Sequence, residues 1–228
     1  MHLLLQASGF IYFSDTLKDN FMSTENTKLY FYPFWLRIWH AINALGIILL
    51  IITGISLQWG IESSFIPFNV AIKIHNISGI ILSVNYLLFF AGNIFTKNIR
   101  FYLIKPKGFG KRLLKQAQYY AYGMFSGMKS PFPLSEKRKF NPLQKFSYFV
   151  VMYLFVPFLI ISGFALLFPE IIIEEIYSLS GVLITAVLHS AAGFLVSVFL
   201  IVHLYVASIG KSPIENFKSI ITGWHNIH

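Results

Sequence analysis

The sequence predicts an all-α integral membrane protein: a bundle of four transmembrane helices with a long basic cytoplasmic loop and a C-terminal amphipathic helix. Of the 228 residues, 56% are hydrophobic and only 12% are charged, with a mean hydropathy of +0.65. Soluble domains of this length are far less apolar. Four apolar stretches are each long enough for a helix to cross a bilayer. They cover about residues 34–57, 70–95, 146–168 and 181–209, and we expect residues 1–228 to form one membrane domain.

The N-terminal segment ahead of the first span carries no clear targeting signal. Its apolar start lacks a basic region and is soon interrupted by Asp15, Lys18 and Asp19, so we do not expect a signal peptide. A polar segment follows Met22, and a start there would give a more ordinary cytoplasmic leader. The intact mass of the native protein would distinguish Met1 from Met22 as the true start.

The first two spans each carry a histidine near their beginning. Trp35 and Trp39 open the first span, where aromatic side chains commonly anchor a helix at the membrane interface. Arg37 and His40 lie in its first two turns, and His75 lies close to the start of the second span. An ionisable side chain inside a membrane is costly, so each of these histidines is a functional candidate.

The fourth span contains two histidines and no charged residue. His189 and His203 are fourteen positions apart, which in a helix is about 21 Å along the axis, with both rings within about 40° of one face. The third span has no histidine but contains Pro157, which a buried transmembrane helix tolerates. The fourth helix therefore offers one imidazole near each side of the membrane.

The charges of the connections set the expected orientation. The connection from 96 to 145 has a single acidic residue, Glu136, whereas the other two connections contain acidic residues but no lysine or arginine. By the positive-inside rule the long connection and both termini are cytoplasmic, as four spans require. The net charge of +9 therefore marks a membrane face and gives no reason to expect nucleic acid as a partner. The basic residues of the connection are Lys97, Arg100, Lys105, Lys107, Lys111, Arg112, Lys115, Lys129, Lys137, Arg138, Lys139 and Lys145.

Two cytoplasmic segments have an amphipathic pattern. Residues 111–125, KRLLKQAQYYAYGMF, mix basic with aromatic and aliphatic side chains, as segments on a membrane surface do. After the fourth span, Ser212, Pro213 and Glu215 have the spacing of a capping box with proline at the first helical position. They predict a short amphipathic helix that follows the last span.

The four span histidines sort into two depths. His40 and His203 belong to the cytoplasmic side, and His75 and His189 belong to the outer side. Cysteine is absent, which excludes disulfides, thiolate-bound iron–sulfur clusters and c-type haem attachment. Two imidazoles fill both axial positions of a six-coordinate haem b, so the pattern predicts two such haems with these four histidines as iron ligands.

Several of these residues also fit a purely structural role. One histidine alone, such as His189, could make a hydrogen bond between helices. Arg37 either pairs with a haem propionate or anchors its span at the membrane surface. Glycines in the spans admit either a flat macrocycle or close helix packing. These glycines are Gly46, Gly54, Gly79 and Gly193, and the histidines expected to be solvated are His2, His225 and His228.

The order R-I-W-H-A-I-N-A…T-G in the first span, His75 opening the second, and H-x13-H in the fourth resembles a known family. It is that of the di-haem cytochrome b subunits of respiratory complexes, such as the gamma subunit of formate dehydrogenase, the cytochrome b of nickel–iron hydrogenase and that of thiosulfate reductase-type molybdoenzymes. The resemblance covers about residues 30–225. It implies the ligand pairs His40/His203 and His75/His189 and a place in the bacterial inner membrane.

A second match, F-N-P-L-Q-K, lies just before the third span. In the formate dehydrogenase subunit an asparagine and a glutamine at this spacing lie at the quinone site beside the cytoplasmic haem, and Asn141 and Gln144 match them. Pro142 and Leu143 depart from that pattern and are similar to the thiosulfate reductase-type group. Without the resemblance, Asn-Pro-x-Gln at the start of a helix is more often a cap than a ligand site.

The resemblance implies an electron path between a quinone, either menaquinone or ubiquinone, and a periplasmic partner of the iron–sulfur, molybdoenzyme or multihaem type. The outer connections are too short to hold a catalytic domain, so we expect the substrate chemistry on that partner. One alternative is a self-contained transmembrane haem reductase that needs neither partner nor quinone site. Another is a transporter whose histidines relay protons or bind metal, although the spans contain Lys73 and no Asp or Glu.

Overall fold

The predicted bundle of four membrane-spanning helices is confirmed by a computed structural model that describes residues 27–59, 66–96, 98–135, 138–209 and 212–227. The first span is α1 (Phe34–Trp59) and the second is α2 (Phe68–Phe95). The third runs over Pro142–Leu167 and the fourth is α6 (Gly181–Ala207). Expectations for Met1, Met22, His2 and His228, and for charges at positions 62, 97, 136 and 137, lie outside the described residues.

The bundle is built from two helix pairs, and many of its buried positions are small or polar. The first span packs along the second, and the third packs along the fourth. Buried positions include Thr53, Ser78 and Asn85, whereas large apolar side chains such as Leu87 and Phe194 point outward. Helices in lipid associate through small and hydrogen-bonding residues while their apolar side chains face the acyl chains. The burial pattern is therefore that of a membrane bundle.

The third span contains a π-helical turn. It begins as α4 (Pro142–Val150), passes through this wide turn at Val151–Phe155 and continues as α5 (Val156–Leu167). Pro157 lacks a backbone N–H and its ring crowds the preceding turn, which disturbs regular α-helical hydrogen bonding there. The hydroxyl of Tyr86 donates to the carbonyl of Met152 at 3.0 Å, so the second span satisfies an acceptor in this irregular turn.

The two described ends of the chain meet in a small antiparallel sheet. Strand β1 (Thr27–Tyr30) pairs with β4 (Trp224–Ile227). The turn before β4 needs glycine, because Gly223 has a φ of +89° and an added Cβ would lie 2.8 Å from the carbonyl oxygen of Tyr32. That turn also accepts the backbone N–H of Phe31 at 2.9 Å. The start of the first span and the end of the fourth are thus held on the same side of the bundle.

On that side the predicted amphipathic segments form two short helices. The basic loop contains α3 (Phe109–Gln118), which continues into a π-helical turn at Tyr119–Gly123. Leu114 and Phe125 are exposed, whereas Gln116 is buried, so one face packs on the bundle and the other remains available to a membrane surface.

The helix after the fourth span, α7 (Glu215–Thr222), begins later than its capping pattern predicted. Ile214 occupies the cap position and no side chain caps the helix there, so the predicted capping box is wrong. Instead, the Asn216 side chain donates to the carbonyls of Ala207 at 3.0 Å and Ile209 at 3.2 Å. Its role at the end of the fourth span explains why the chain turns before α7 starts.

The tryptophans of the first span, at its start, pack against the second span. The Trp39 ring lies 4.1 Å from that of Phe89, and its Nε1–H donates to the carbonyl of Asn85 at 3.0 Å. A Cβ on Gly92 would lie 2.8 Å from the Trp35 ring. Both indoles therefore occupy the contact between the first and second spans.

The third and fourth spans are joined by a tight hairpin on the opposite side. Pro169–Ile171 form a 3-10 turn, followed by the paired strands β2 (Glu175–Ile176) and β3 (Leu179–Ser180). The hairpin turn holds Tyr177 and Ser178 at φ values of 51° and 64°, as two-residue hairpins require. The hairpin leads directly into the helix that carries His189.

Candidate functional site

The four span histidines form two pairs at two depths of the bundle. The ring centres of His40 and His203 are 6.4 Å apart, and those of His75 and His189 are 6.2 Å apart. The fourth span contributes one histidine to each pair, and the first and second spans contribute the others. The structure therefore brings together the residues that the sequence sorted by depth.

The spacing of each pair fits a metal between the rings. Bonds from an imidazole nitrogen to a metal are about 2.0–2.1 Å long, and the nitrogen lies about 1.1 Å from the ring centre, so two rings on opposite sides of one metal have centres about 6.3 Å apart. Both observed separations agree with this value. Within the described residues no three His, Cys, Asp or Glu side chains converge on one point, so the donor set is two imidazoles at each depth.

A hydroxyl group orients His75. Its Nδ1 lies 2.9 Å from Oγ1 of Thr53, and that hydroxyl lies 2.7 Å from the carbonyl of Leu49 one turn earlier. A hydroxyl has a single proton. If it donates this proton to the carbonyl, it accepts a hydrogen bond from Nδ1–H of the histidine. The Nε2 lone pair of His75 is then free to bind a metal.

The same arrangement recurs at His189. Its Nδ1 lies 2.8 Å from Oγ of Ser162, which lies 2.7 Å from the carbonyl of Phe158. Each histidine of this pair therefore has a hydroxyl on the neighbouring helix of its own helix pair. When both hydroxyls donate to the carbonyls of the preceding turn, each ring carries its proton on Nδ1.

Each of these hydroxyls is followed by a glycine that makes room for the ring. A Cβ on Gly54 would lie 3.5 Å from Cε1 of His75, and one on Gly163 would lie 3.3 Å from Cε1 of His189. The hydroxyl–glycine dipeptide thus serves both rings. The sequence motif contained Thr53–Gly54, and Gly54 was expected to admit a macrocycle or close helix packing, but Thr53 had no predicted role. Ser162–Gly163 was missed, and the repeated dipeptide was the signal that could have found both.

The other span glycines have different surroundings. A Cβ on Gly46 would meet the Leu82 side chain at 2.7 Å, so Gly46 allows close packing of the first two spans. Gly79 and Gly193 each lie one turn beyond a histidine, and an added Cβ on either would have no neighbour within 4 Å in the described chain. Open space beside both rings of the His75/His189 pair is what a flat macrocycle needs.

Aromatic rings surround the other pair. The Phe199 ring stacks on His203 with centres 5.7 Å apart, and the Tyr148 ring meets His203 edge-on at 6.2 Å. Neither His203 nor His40 has a ring-nitrogen hydrogen bond to any of the described residues. The two pairs therefore differ: hydroxyl groups fix the rings of one, and apolar packing surrounds the other.

Arg37 lies one turn before His40, and its Nε is buried. Within the described part of the chain this atom has no hydrogen-bond partner, and the guanidinium carbon lies 5.8 Å from the centre of the Phe34 ring. A buried guanidinium donor without a partner is costly. A carboxylate of a bound group, such as a haem propionate, would satisfy it.

Asn141 and Gln144 form a reciprocal capping box at the start of the third span. The Asn141 side chain accepts from the backbone N–H of Gln144 at 2.9 Å, and the Gln144 side chain accepts from that of Asn141 at 3.0 Å. The Asn141 amide also donates to the hydroxyl of Tyr120 at 2.9 Å. Both side chains therefore have a clear structural role.

A buried polar group lies next to this cap. Gln116 is 1% exposed, and its Oε1 has no hydrogen-bond partner among the described residues. The Tyr120 hydroxyl, one turn further along, is close enough to Gln116 and Asn141 for both amides to affect its ionisation. Burial outweighs them and raises the pKa of Tyr120, so this hydroxyl remains a donor at neutral pH.

Lys139 connects this region to the N-terminal strand. Its Nζ donates to the carbonyl of Phe31 and to Oδ1 of Asn98 at 3.3 Å. Burial, assisted by the positive charge of Arg100, lowers the pKa of Lys139 to about 8. This lysine therefore exchanges protons close to neutral pH.

His225, expected to be solvated, is half-buried. Its Nδ1 lies 3.0 Å from Oγ of Ser219, and its ring stacks on Phe31 with centres 5.9 Å apart. It therefore belongs to the contact that joins the two ends of the chain.

Comparisons with known proteins identify the family of this chain. The family model for prokaryotic cytochrome b561 matches residues 31–223. The "Putative cytochrome YdhU" of Escherichia coli strain K12 is 30% identical over 225 residues, which cover 99% of this chain and 82% of that protein. The "Probable Ni/Fe-hydrogenase B-type cytochrome subunit" of Rhizobium leguminosarum bv. viciae is 28% identical over 222 residues, with 87% of each chain covered.

The family match includes all four membrane helices and both histidine pairs. A member of such a family binds haem b in the membrane and carries electrons. The chain therefore belongs to the prokaryotic cytochrome b561 family and is a membrane cytochrome b of electron transport.

Proposed function

We propose that this protein is the membrane-anchoring subunit of a respiratory oxidoreductase, with two haems b, and that it carries electrons between the quinone pool and a periplasmic partner. The observation that carries the proposal is the presence of two imidazole pairs, one near each side of the bundle, with ring centres 6.2 and 6.4 Å apart. A single pair would serve one cofactor only. Two pairs at two depths give the chain a route across the bilayer.

His75 and His189 would hold the outer haem, and His40 and His203 the inner one. Thr53 and Ser162 orient the outer ligands, and Arg37 supplies a donor for a propionate of the inner haem. A haem held by two imidazoles supplies one-electron redox chemistry and has no open position for a substrate. The chain therefore carries electrons, and another subunit would carry out the substrate chemistry.

Replacement of Gly193 by leucine tests the space beside the outer pair. The structure leaves open space at this position, so we expect Gly193→Leu to fold normally but to lose the outer haem, because the new side chain fills the space beside His189. Haem per polypeptide in the detergent-purified protein is the measurement. Ser190→Leu, at an exposed position of the same helix, should keep both haems. Two haems in Gly193→Leu would show that this space is not used by the cofactor.

The quinone would bind beside the cap of the third span, close to the inner pair. Asn141 and Gln144 shape this region, the unpaired Oε1 of Gln116 is suited to accept from a quinol hydroxyl, and the Tyr120 hydroxyl is suited to donate to a quinone carbonyl. Lys139, two residues before Asn141, exchanges protons close to neutral pH. Menaquinone and ubiquinone present the same carbonyl groups to these residues.

The partner would dock on the side of the outer pair. The relative from Rhizobium leguminosarum is named as a subunit of a Ni/Fe-hydrogenase, which supports an oxidoreductase partner here. The hairpin on this side is too short to hold a catalytic domain. We therefore propose an iron–sulfur, molybdoenzyme or multihaem partner in the periplasm.

The orientation in the bacterial inner membrane is proposed from charge. The pairing of β1 with β4 brings both described ends to the side that holds α3 and the basic loop. Basic loops remain cytoplasmic, so we place both termini in the cytoplasm and treat residues 1–228 as one domain.

A pyridine haemochrome assay on the detergent-purified protein tests the proposed function. We expect about two haems b per polypeptide. A folded, fully loaded preparation without haem would overturn the proposal and favour the histidine-using transporter. One haem per chain would overturn the two-site arrangement.

A further inference from the structure

We propose that the basic loop binds the phosphate group of an anionic phospholipid from the cytoplasmic leaflet, at a site where the loop meets the start of the third span. The inference goes beyond the proposed function and depends on neither haem nor quinone. Four side chains form the site, which we call the cation cluster. They are Lys105, Arg112, Arg138 and Lys145.

Backbone carbonyls of one short loop segment hold two of these cations. Arg112 donates to the carbonyls of Lys105 and Lys107, both at 2.6 Å. Lys145 donates to the carbonyl of Leu103 at 3.4 Å. A guanidinium has five N–H donors and an ammonium has three, so both side chains keep donors beyond these contacts. The segment therefore brings a cation from α3 and a cation from the third span to one place.

An aromatic contact joins the two helices that carry these cations. The ring of Phe109, the first residue of α3, lies 6.1 Å from that of Phe146, which follows Lys145 in the third span. The guanidinium carbon of Arg112 lies 6.0 Å from the centre of the Phe109 ring. Each helix thus presents its cation beside the same pair of rings.

The loop cannot neutralise the positive charge of this cluster. The other three members are close enough to Lys145 for their charges to act on its ammonium group. The connection from 96 to 145 contains a single acidic residue, Glu136. Like charges that are held together repel each other, and a bound anion would relieve this repulsion. The charge of the cluster therefore calls for an anionic ligand.

The position of the cluster selects a lipid over a free anion. Lys145 lies in the first turn of the third span, where the headgroups of a bilayer begin. Leu103 and Phe146, next to the cations, expose 59% and 40% of their surface. A phospholipid matches both features, because its phosphate accepts from arginine and lysine while its acyl chains cover the apolar side chains.

Titration of the delipidated full-length protein in neutral detergent tests the inference, with native mass spectrometry to count bound lipids. We expect phosphatidylglycerol to bind at least about tenfold more tightly than phosphatidylcholine with the same acyl chains. Lys105→Gln and Lys145→Gln should each weaken the binding of phosphatidylglycerol by about fivefold, the effect of one basic residue near an anionic surface. Neither variant should change the binding of phosphatidylcholine.

Lys111 and Lys129 supply matched controls. Both are exposed lysines of the same loop, and neither is among the cations whose charges act on Lys145. Lys111→Gln and Lys129→Gln make the same change in net charge and should keep the wild-type affinity for phosphatidylglycerol. A wild-type elution volume from a gel-filtration column in detergent shows that each variant is folded.

Three results would overturn the inference. Equal binding of the two lipids would show that the headgroup charge is not recognised. Equal weakening by the control and cluster variants would show a diffuse positive surface without a site. Displacement of phosphatidylglycerol by inorganic phosphate at the same concentration would show a site for free anions. None of these measurements uses haem, so failure of the proposed function would leave this inference standing.

Discussion

His189→Ala is expected to contain one haem per chain, one fewer than the two that we propose for the wild type. The substitution removes one ligand of the outer pair, and the remaining ring of His75 cannot fill both axial positions. The inner pair lies three turns or more away along the fourth span, so its haem should be retained. His203→Ala should give the complementary result, with the outer haem retained and the inner one lost. Haem per polypeptide and the reduced absorption spectrum measure both.

The control for these variants is His225→Ala. This imidazole contacts Ser219 and Phe31 in the terminal sheet, so its loss should leave two haems. The double variant of His189 and His203 should be colourless but folded, as judged by its elution from a gel-filtration column in detergent. Two haems in either single variant would show that the pairs are assigned wrongly.

Gln116→Met is expected to slow haem reduction by quinol at least tenfold while both haems stay bound. The glutamine oxygen is buried without a described partner, and an unsatisfied buried acceptor costs about 1–3 kcal/mol. A bound quinol hydroxyl would recover that free energy, and 1.4 kcal/mol corresponds to about a tenfold change in binding. Stopped-flow reduction of the oxidised protein by menaquinol or ubiquinol gives the rate.

Two further variants sharpen this experiment. Gln118→Met changes an exposed glutamine of the same helix and should keep the wild-type rate. Asn141→Ser retains a good helix cap but loses the amide that contacts Tyr120, so it should also slow the reaction. Unchanged rates in Gln116→Met and Asn141→Ser would place the quinone elsewhere. A wild type that quinol cannot reduce would instead favour the self-contained haem reductase.

The spans and the depths of their histidines were predictable because each depends on local sequence. Apolar length defines a span, and the charges of the connections define which end faces which side. The separation of His189 from His203 along one helix then follows from helix geometry. The remaining step was to match the histidine of the first span, and that of the second span, with the histidine of the fourth span at the same depth.

The hydroxyls that orient the outer rings could not be predicted in this way. Thr53 and Ser162 each bond to the preceding turn of their own helix, as Ser83 and Ser197 do without touching a histidine. All four make the same bond to the preceding turn, and only the glycine that follows Thr53 and Ser162 distinguishes these two in the sequence. The difference lies in helix packing, which decides what faces each hydroxyl across the bundle.

Contacts between residues far apart in the sequence could not be predicted from local patterns either. Strands β1 and β4 are separated by almost the whole chain, and neither has the length or alternation of an independent strand. The contacts that Trp35 and Trp39 make with Gly92 and Phe89 of the second span could not be predicted from local sequence either. The pattern at Ser212 failed because Asn216 serves the end of the preceding helix.

The shared fourth span has a consequence for biogenesis. Each histidine pair takes one ring from α6, which is the last of the four spans to leave the ribosome. Neither pair can exist until this helix has entered the bundle. If these pairs hold the haems as we propose, haem loading follows synthesis of nearly the whole chain, and a product truncated before residue 181 would be an inserted but colourless intermediate.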